Sequence, residues 1–286
     1  MKKITVAVTG AQGQLGKSIH DLASDYPNLH FVFLSRQDMP IHHFELVREF
    51  LRGIHPEVVI NAAAYTAVDR AEQEKDLAFQ VNAEAVGVLA AWCAQHGSKF
   101  IHVSTDYVFD GESEKPYVET DPTGPRSVYG ASKLEGERQA LEFLDQSIII
   151  RTSWVYAPYG KNFVRTMLGL MKERDSIRVV NDQIGAPTYA PDLAKAILDI
   201  VSGVNWVPGI YHFSNSGRIS WYDFAVAIQK ITQADCRVEP ISTTDYPTPA
   251  RRPSFSLLNT EKIRSVYGIV PRPWEEALRE CLGQLG

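Results

Sequence analysis

Five short runs of apolar and β-branched residues, "ITVAVTG" (4–10), "HFVFLS" (30–35), "EVVINAAA" (57–64), "FIHVST" (100–105) and "SIIIRTS" (147–153), are set apart by amphipathic stretches near 14–25, 44–53, 76–96 and 130–144. A strand that is apolar on both faces has to be covered on both faces, and helices between successive strands supply that cover. The alternation therefore predicts an α/β fold with a doubly wound parallel sheet. There is no internal repeat and no low-complexity segment.

After about residue 157 the rhythm loosens. "APYGKN", "NDQIGAPTYAP", "SNSGRIS" and "DYPTPARRPS" place Gly, Pro, Asn and Ser between shorter elements, the kind of loops that suit a smaller C-terminal substrate-binding lobe. The segment 191–203 is apolar enough to return to the sheet, whereas helices at 220–233 and 274–285 fit the lobe. The expected division is 1–157 and 189–204 for the sheet domain, with 158–188 and 205–286 for the lobe.

"TGAQGQLG" follows the first strand and opens a helix, with glycines at 10, 13 and 16. Gly10 permits a tight turn, Gly13 a close approach of backbone to a pyrophosphate, and Gly16 tight packing of helix on strand. The helix N-terminus then turns free N–H groups toward phosphate. This is a Rossmann-like signature, and Gly10, Gln12, Gly13, Gln14 and Leu15 are expected to meet a dinucleotide. Twenty residues past Gly16, where a carboxylate would hold the ribose 2′-hydroxyl, stands Arg36, which suits a 2′-phosphate, although Asp38 is close by. The small residues of "NAAAY", Ala62, Ala63 and Ala64 with Tyr65, let a cofactor lie against backbone at the end of the third strand.

"SVYGASKLEGE" (127–137) places Tyr129 and Lys133 four apart at the start of a helix. Positions i and i+4 share a face. An ammonium beside a phenol favours the phenolate and lowers a pKa that begins near ~10. In isolation such a pair is a common coincidence; beside a nucleotide loop it suggests a proton donor with a tuning cation.

Composition narrows the field. A formal charge of −5 without a long basic run offers nothing to a polyanion, so nucleic acid is not expected as a partner. Cys93, Cys236 and Cys281 are odd in number and far apart, which suits reduced thiols in a cytoplasmic protein. His42 and His43 lack nearby ligand partners and read as a solvated loop. Two lysines before an apolar run superficially resemble a signal peptide, but Gly10, Gln12 and Gly13 interrupt that run and it reads as the first strand. No apolar stretch is taken to approach the ~20 residues that span a bilayer, and no membrane association is expected.

Tyr129 and Lys133 form the Y-x-x-x-K of the short-chain dehydrogenase/reductase superfamily. More specifically, "INAAAYTAVDRAE" (60–72), "STDYVF" (104–109), "VYGASKLEGE" (128–137), "RTSWVYAPYGKNFVRTML" (151–168), "VNDQIGAPTYAPDLA" (180–194) and "ARRPSFSLLNTEKI" (250–263) resemble the dTDP-4-dehydrorhamnose reductases over nearly the whole chain. The resemblance implies NAD(P)H-dependent reduction of the 4-keto group of dTDP-4-dehydro-β-L-rhamnose for surface polysaccharide synthesis; it is Arg36 that leads NADPH to be expected as the preferred cofactor, with NADH also accepted. It implies that Thr105 binds the keto oxygen, Tyr129 protonates it, and Lys133 tunes Tyr129 and holds the nicotinamide ribose. Trp154 would wall the sugar pocket, with Asp106 facing it beside Thr105. Two departures stand out. "DMPIHH" (38–43) has Pro40 where relatives carry an acidic residue at the adenosine half. Pro191 and Ser18 occupy positions where a carboxylate set for Mg²⁺ at a dimer contact would be expected, so no metal ligands are assigned, and Mg²⁺ and a homodimer stay open. Competing readings are another NDP-sugar reductase, epimerase or dehydratase, and a non-catalytic relative resembling the regulatory subunit of methionine adenosyltransferase. Thr105-Asp106-Tyr107, in place of Thr-Asp-Glu, speaks against elimination of water.

Overall fold

The structure, a computed structural model, describes residues 3–285. Met1, Lys2 and Gly286, which the reading of the chain's start and the lobe boundary included, lie outside the described residues. The first half runs β1 (Ile4–Thr9), α1 (Gln14–Leu22), β2 (Leu29–Leu34), α2 (Phe44–Ile54), β3 (Val58–Asn61), α3 (Val68–Ala71), α4 (Lys75–Phe79), α5 (Ala85–His96), β4 (Lys99–Thr105), α6 (Val128–Phe143) and β5 (Ile148–Thr152). The second half adds β6 (Val155–Tyr156), α7 (Phe163–Glu173), β7 (Ser176–Val180), β8 (Ile184–Gly185), β9 (Thr188–Tyr189) and α8 (Ala190–Ser202). It continues through β10 (Gly209–His212), β11 (Ile219–Ser220), α9 (Trp221–Thr232), β12 (Arg237–Ile241), α10 (Glu261–Tyr267) and α11 (Trp274–Gly283).

The five expected strands, joined at one edge by β10, form a six-stranded parallel sheet in the order β10-β5-β4-β3-β1-β2. The chain leaves β1 to one side for β2 and returns on the other for β3, so the sheet changes direction between β1 and β3. A crevice opens at the carboxyl ends of strands where that happens. One face, with Val6, Val8, Ile60, Ile101 and Ile150, packs on α1, α8 and α10; the other, with Ala7, Val59, Phe100 and Ile149, packs on α2, α5 and α6. A separate cluster that includes Tyr156, Met167, Phe224, Trp274 and Leu278 is the core of the second lobe.

Two expectations need correction. The lobe does not take all of 205–286: β10 pairs with β5, and Ile263 of α10 joins the core under the sheet, because the β5 edge and the outer face beside it need cover. Nor is the chain without a long apolar stretch. Lys75–His96 is one 22-residue helical run, with a π-helical turn at Gln80–Glu84, long and apolar enough by composition to cross a membrane. Its Ala85, Val86, Leu89, Ala90, Trp92 and Cys93 are buried against the sheet and α6, so its apolar character is that of a core helix.

Side chains on the α6 side of the sheet change character along the strands. One pleat beyond Ala7, Val59, Phe100 and Ile149 come Thr9, Asn61, His102 and Arg151, and the parallel register sets Thr9 beside Asn61, Asn61 beside His102, and Ser104 beside Arg151. α6 covers this polar strip with Lys133 and Glu137, both almost fully buried. Arg151 binds the Glu137 carboxylate through two nitrogens, at 2.9 and 2.7 Å, and Ser104 donates to the same carboxylate. Removing one partner of a buried pair strands the other charge. Glu137→Gln is therefore expected to lower unfolding stability by about 3–5 kcal/mol in urea melts; a loss below about 1 kcal/mol would show that the pair contributes little.

Candidate active site

A cleft of about 560 Å³ lies along the carboxyl ends of β1, β2, β3 and β4. At its centre β1 turns into α1. Gly10 has φ +67°, and a Cβ there would come within 2.7–2.8 Å of the Ala62–Ala63 backbone, so both the conformation and the approach require glycine. A Cβ on Gly16 would meet Gly10 O at 2.4 Å, which is the close helix packing expected of that position. Gly13 caps α1 with no side chain bonded to the first N–H groups, leaving them for an anion. Gln14 is held at the cleft edge, donating to Val155 O and accepting from Asn162.

Gly10, Gln12, Gly13, Gln14, Leu15, Arg36, Ala62, Ala63, Ala64, Tyr65, Tyr129 and Lys133 all line this one cleft. Arg36 is exposed on the turn after β2. The neighbouring Asp38 is held in the turn, its carboxylate accepting from Ser35 N at 2.9 Å while Ser35 Oγ accepts from Gln37 N and Asp38 N. The departure around Pro40 is apolar in character: Met39, Ile41 and His42 form this end of the cleft. Burial lowers the His42 pKa, helped by His43 and Arg36. Residues such as Met39, Ile41 and Val81 gave no signal in the sequence, because an apolar cleft wall is indistinguishable there from core. These N–H groups, the exposed guanidinium and the apolar end fit a dinucleotide phosphate.

At the other end, Ser127 caps α6 by accepting from Gly130 N at 3.1 Å, which sets Tyr129 in the first turn and Lys133 one turn on. Lys133 Nζ donates to Val103 O at 2.6 Å and lies 3.2 Å from His102 Nε2. Burial brings the Lys133 pKa down to about 8, with Glu137 acting in the opposite sense. The expected depression of Tyr129 is not seen. Burial pushes its pKa up to about 12, with Asp106 acting in the same sense and the neighbouring Thr105 hydroxyl against it; the Lys133 nitrogen that was to offset burial lies instead on the β4 backbone at Val103 O. Tyr107 packs edge-on to the Tyr129 ring at 5.5 Å.

Thr105 ends β4 and Asp106 follows it; at 5% and 2% exposure neither lines the dinucleotide cleft itself, but the Thr105 hydroxyl is bonded to Tyr129, which does. Thr105 Oγ1 donates to Asp106 Oδ1 at 2.9 Å. Burial lifts the Asp106 pKa to about 6, against hydrogen bonds from Ser256 and Thr105. Asp106 thus supports Thr105 and does not line the cleft. Trp154 is half-buried with φ +49°, an unusual conformation for a bulky residue, and stacks on Trp221 with ring centroids 3.6 Å apart. It sits at the sheet–lobe junction and not on the dinucleotide cleft. A second cavity, of about 470 Å³, opens between Asp110–Gly111 and the 243–254 segment, where Arg252 is clamped by both oxygens of Asp69. Among the described residues, no group of three or more His, Cys, Asp or Glu could hold a metal. Ser18, at one of the two departures, bonds to Gln14 O and Tyr159 OH.

A parallel sheet, a glycine turn at its switch point and a Tyr-x-x-x-Lys helix closing the cleft define a Rossmann-type protein of the short-chain dehydrogenase/reductase kind. A family model described as the RmlD substrate binding domain matches residues 4–286, and the chain belongs to that family. It is 45% identical over 282 residues to a dTDP-4-dehydrorhamnose reductase of Aggregatibacter actinomycetemcomitans, covering 95% of this chain and 96% of that one. Among solved structures, a dTDP-4-dehydrorhamnose reductase of Clostridium acetobutylicum matches with a TM-score of 0.95 and 40% identity over 99% of both chains. One from Bacillus anthracis in complex with NADP matches with a TM-score of 0.94 and 37% identity, over 99% of this chain and 100% of that one.

Gly10→Ala tests the geometry of the turn. The left-handed conformation costs a non-glycine residue roughly 1–2 kcal/mol, and the added methyl must displace the Ala62–Ala63 backbone. Urea melts should show at least that loss and fluorescence titration a weakening of NADPH binding of tenfold or more; unchanged values on both counts would place the turn elsewhere.

Proposed function

We propose that the chain reduces the 4-keto group of dTDP-4-dehydro-β-L-rhamnose, giving dTDP-L-rhamnose for surface polysaccharide. The observation that carries this reading is the placement of Tyr129 and Lys133 at one end of a dinucleotide cleft, beside Thr105, in a chain whose full-length relatives carry that activity in their names. NADPH supplies the hydride. The chain's part is to hold phosphates at the α1 N-terminus and Arg36, to exclude water with the apolar wall, and to deliver a proton. A tyrosine whose pKa lies well above neutrality stays protonated, which is the state a reduction consumes; Tyr129 gives its proton to the keto oxygen while Thr105 orients that oxygen. Lys133, one turn below and partly depressed in pKa, is placed to bind ribose hydroxyls and return a proton to Tyr129. The indole of Trp154, stacked on Trp221 at the sheet–lobe junction, would wall the sugar pocket.

Following NADPH absorbance with enzymatically prepared dTDP-4-dehydrorhamnose tests the reading directly. Wild type should oxidise NADPH in proportion to the keto-sugar, and Tyr129→Phe should keep its fold and cofactor affinity while turnover drops by roughly 10²–10⁴. Turnover close to wild type in that variant would remove Tyr129 from the chemistry.

Arg36 makes NADPH the preferred cofactor through charge-assisted hydrogen bonds to the 2′-phosphate. The preference is modest, since an exposed ion pair is screened, and NADH also serves. Arg36→Ala should raise the Michaelis constant for NADPH and leave that for NADH nearly unchanged, with added salt narrowing the wild-type difference. Equal effects on the two cofactors would mean that the guanidinium does not meet the phosphate.

A further inference from the structure

Behind Lys133 lies a hydrogen-bonded chain that the reduction itself does not require. Thr9 Oγ1 donates to Asn61 Oδ1 at 2.6 Å, and the backbone N–H of Ala63, which can only donate, also faces Asn61 Oδ1 at 3.3 Å. The amide oxygen is therefore on that side, and Asn61 Nδ2, which also can only donate, faces His102 Nδ1 at 3.0 Å. His102 is fully buried, and burial, with Lys133 beside it, holds its pKa well below the usual value, so the ring is neutral. A neutral imidazole whose Nδ1 accepts carries its proton on Nε2. That Nε2–H points at Lys133 Nζ, 3.2 Å away. Two donors do not pair, whereas the lone pair of an amine accepts the Nε2–H, and either form of the lysine can donate to Val103 O.

We propose that Thr9 and Asn61 fix the tautomer of His102, and that His102 is thereby the positioning residue of Lys133, holding it on the cleft wall and favouring its amine form until a bound ligand offers it acceptors. The strand register makes the wiring possible, since Thr9, Asn61 and His102 are neighbours on three adjacent strands. The other charged groups facing the pair are Glu137, also on α6, which favours the ammonium, and Arg151 on β5, which occupies Glu137; Tyr129 lies one turn away on α6. Ligand binding at Lys133 is then coupled to proton uptake. The catalytic use of Lys133 rests on the reductase reading; the wiring does not.

The experiment titrates the unliganded full chain labelled with ¹³C at lysine Cε, with the Lys133 signal identified by its loss in Lys133→Met. The wild-type midpoint should lie below the ordinary lysine value of about 10.4. In His102→Gln the amide can turn its oxygen to the lysine, so the midpoint should rise by about one unit, a tenfold gain in proton affinity. Asn61→Asp keeps an oxygen for Thr9 and Ala63 but presents an acceptor to Nδ1, which moves the ring proton there and should raise the midpoint too. His102→Gln adds no charge, so its shift decides between rewiring and simple electrostatics; if it does not fold, Asn61→Asp can still overturn the proposal by failing to raise the midpoint, and Asn61→Leu, which adds no charge and frees Nδ1 to carry the proton, should raise it as well. The alkaline limb of kcat/KM should move with the midpoint. A midpoint that stays put or falls in the folded variant overturns the proposal, and it does so whether or not the wild type turns over the keto-sugar.

Discussion

The bond between Glu137 and Arg151 fixes the relation of α6 to the sheet, and the site depends on that relation. A helix lying on a sheet through apolar side chains alone could slide or roll with little penalty. A bidentate pair, both members at 3% side-chain exposure with Ser104 on the same carboxylate, has one good geometry and a large cost for leaving it. It ties the helix bearing Tyr129 and Lys133 to β5 and to β4, the strand that ends in Thr105. The proton donor, the lysine and the hydroxyl that meets the keto oxygen are thus referred to one rigid frame.

That frame also explains how two titratable groups in one helix come to differ. Both are desolvated, and desolvation favours the neutral form of each, raising a phenol and lowering an ammonium. Tyr129 is kept as an acid and Lys133 is brought within reach of proton exchange near pH 8. The polar strip beneath them, from Thr9 through Asn61 and His102 to Arg151, pairs most of its polar groups with one another, Arg151 Nη1 excepted.

Much of this was legible in the residues. Alternating strands and helices followed from period and β-branching, and the glycines at 10 and 16 took the roles their spacing implied, because turn geometry and close packing are local demands. Tyr129 and Lys133 reached one cleft because helical spacing fixes i and i+4. What was not legible depended on three-dimensional neighbours. Asp38 stood near Arg36 in sequence, yet it pairs with the Ser35 backbone and not with Arg36. Asp106 followed Thr105 and was expected to face the sugar, but the turn after β4 buries it behind the wall. The lysine was expected to lower Tyr129, a pairwise argument that omitted burial and the hold that the β4 backbone has on Lys133. Asn61, His102 and Arg151, each polar within an apolar run, were the visible signs of the strip, but their partners come from other strands and from α6, at least fourteen residues away in the chain.

The central claim is that this cleft passes hydride to C4 of a keto-sugar while Tyr129 supplies the proton. The most direct measurement incubates the chain with NADPH carrying deuterium at both C4 positions and with dTDP-4-dehydrorhamnose, then examines the sugar by NMR and mass spectrometry. The account predicts dTDP-rhamnose with one deuterium bound at C4 and none elsewhere. Recovery of unreduced keto-sugar despite bound NADPH, or of reduced sugar without deuterium at C4, would contradict it.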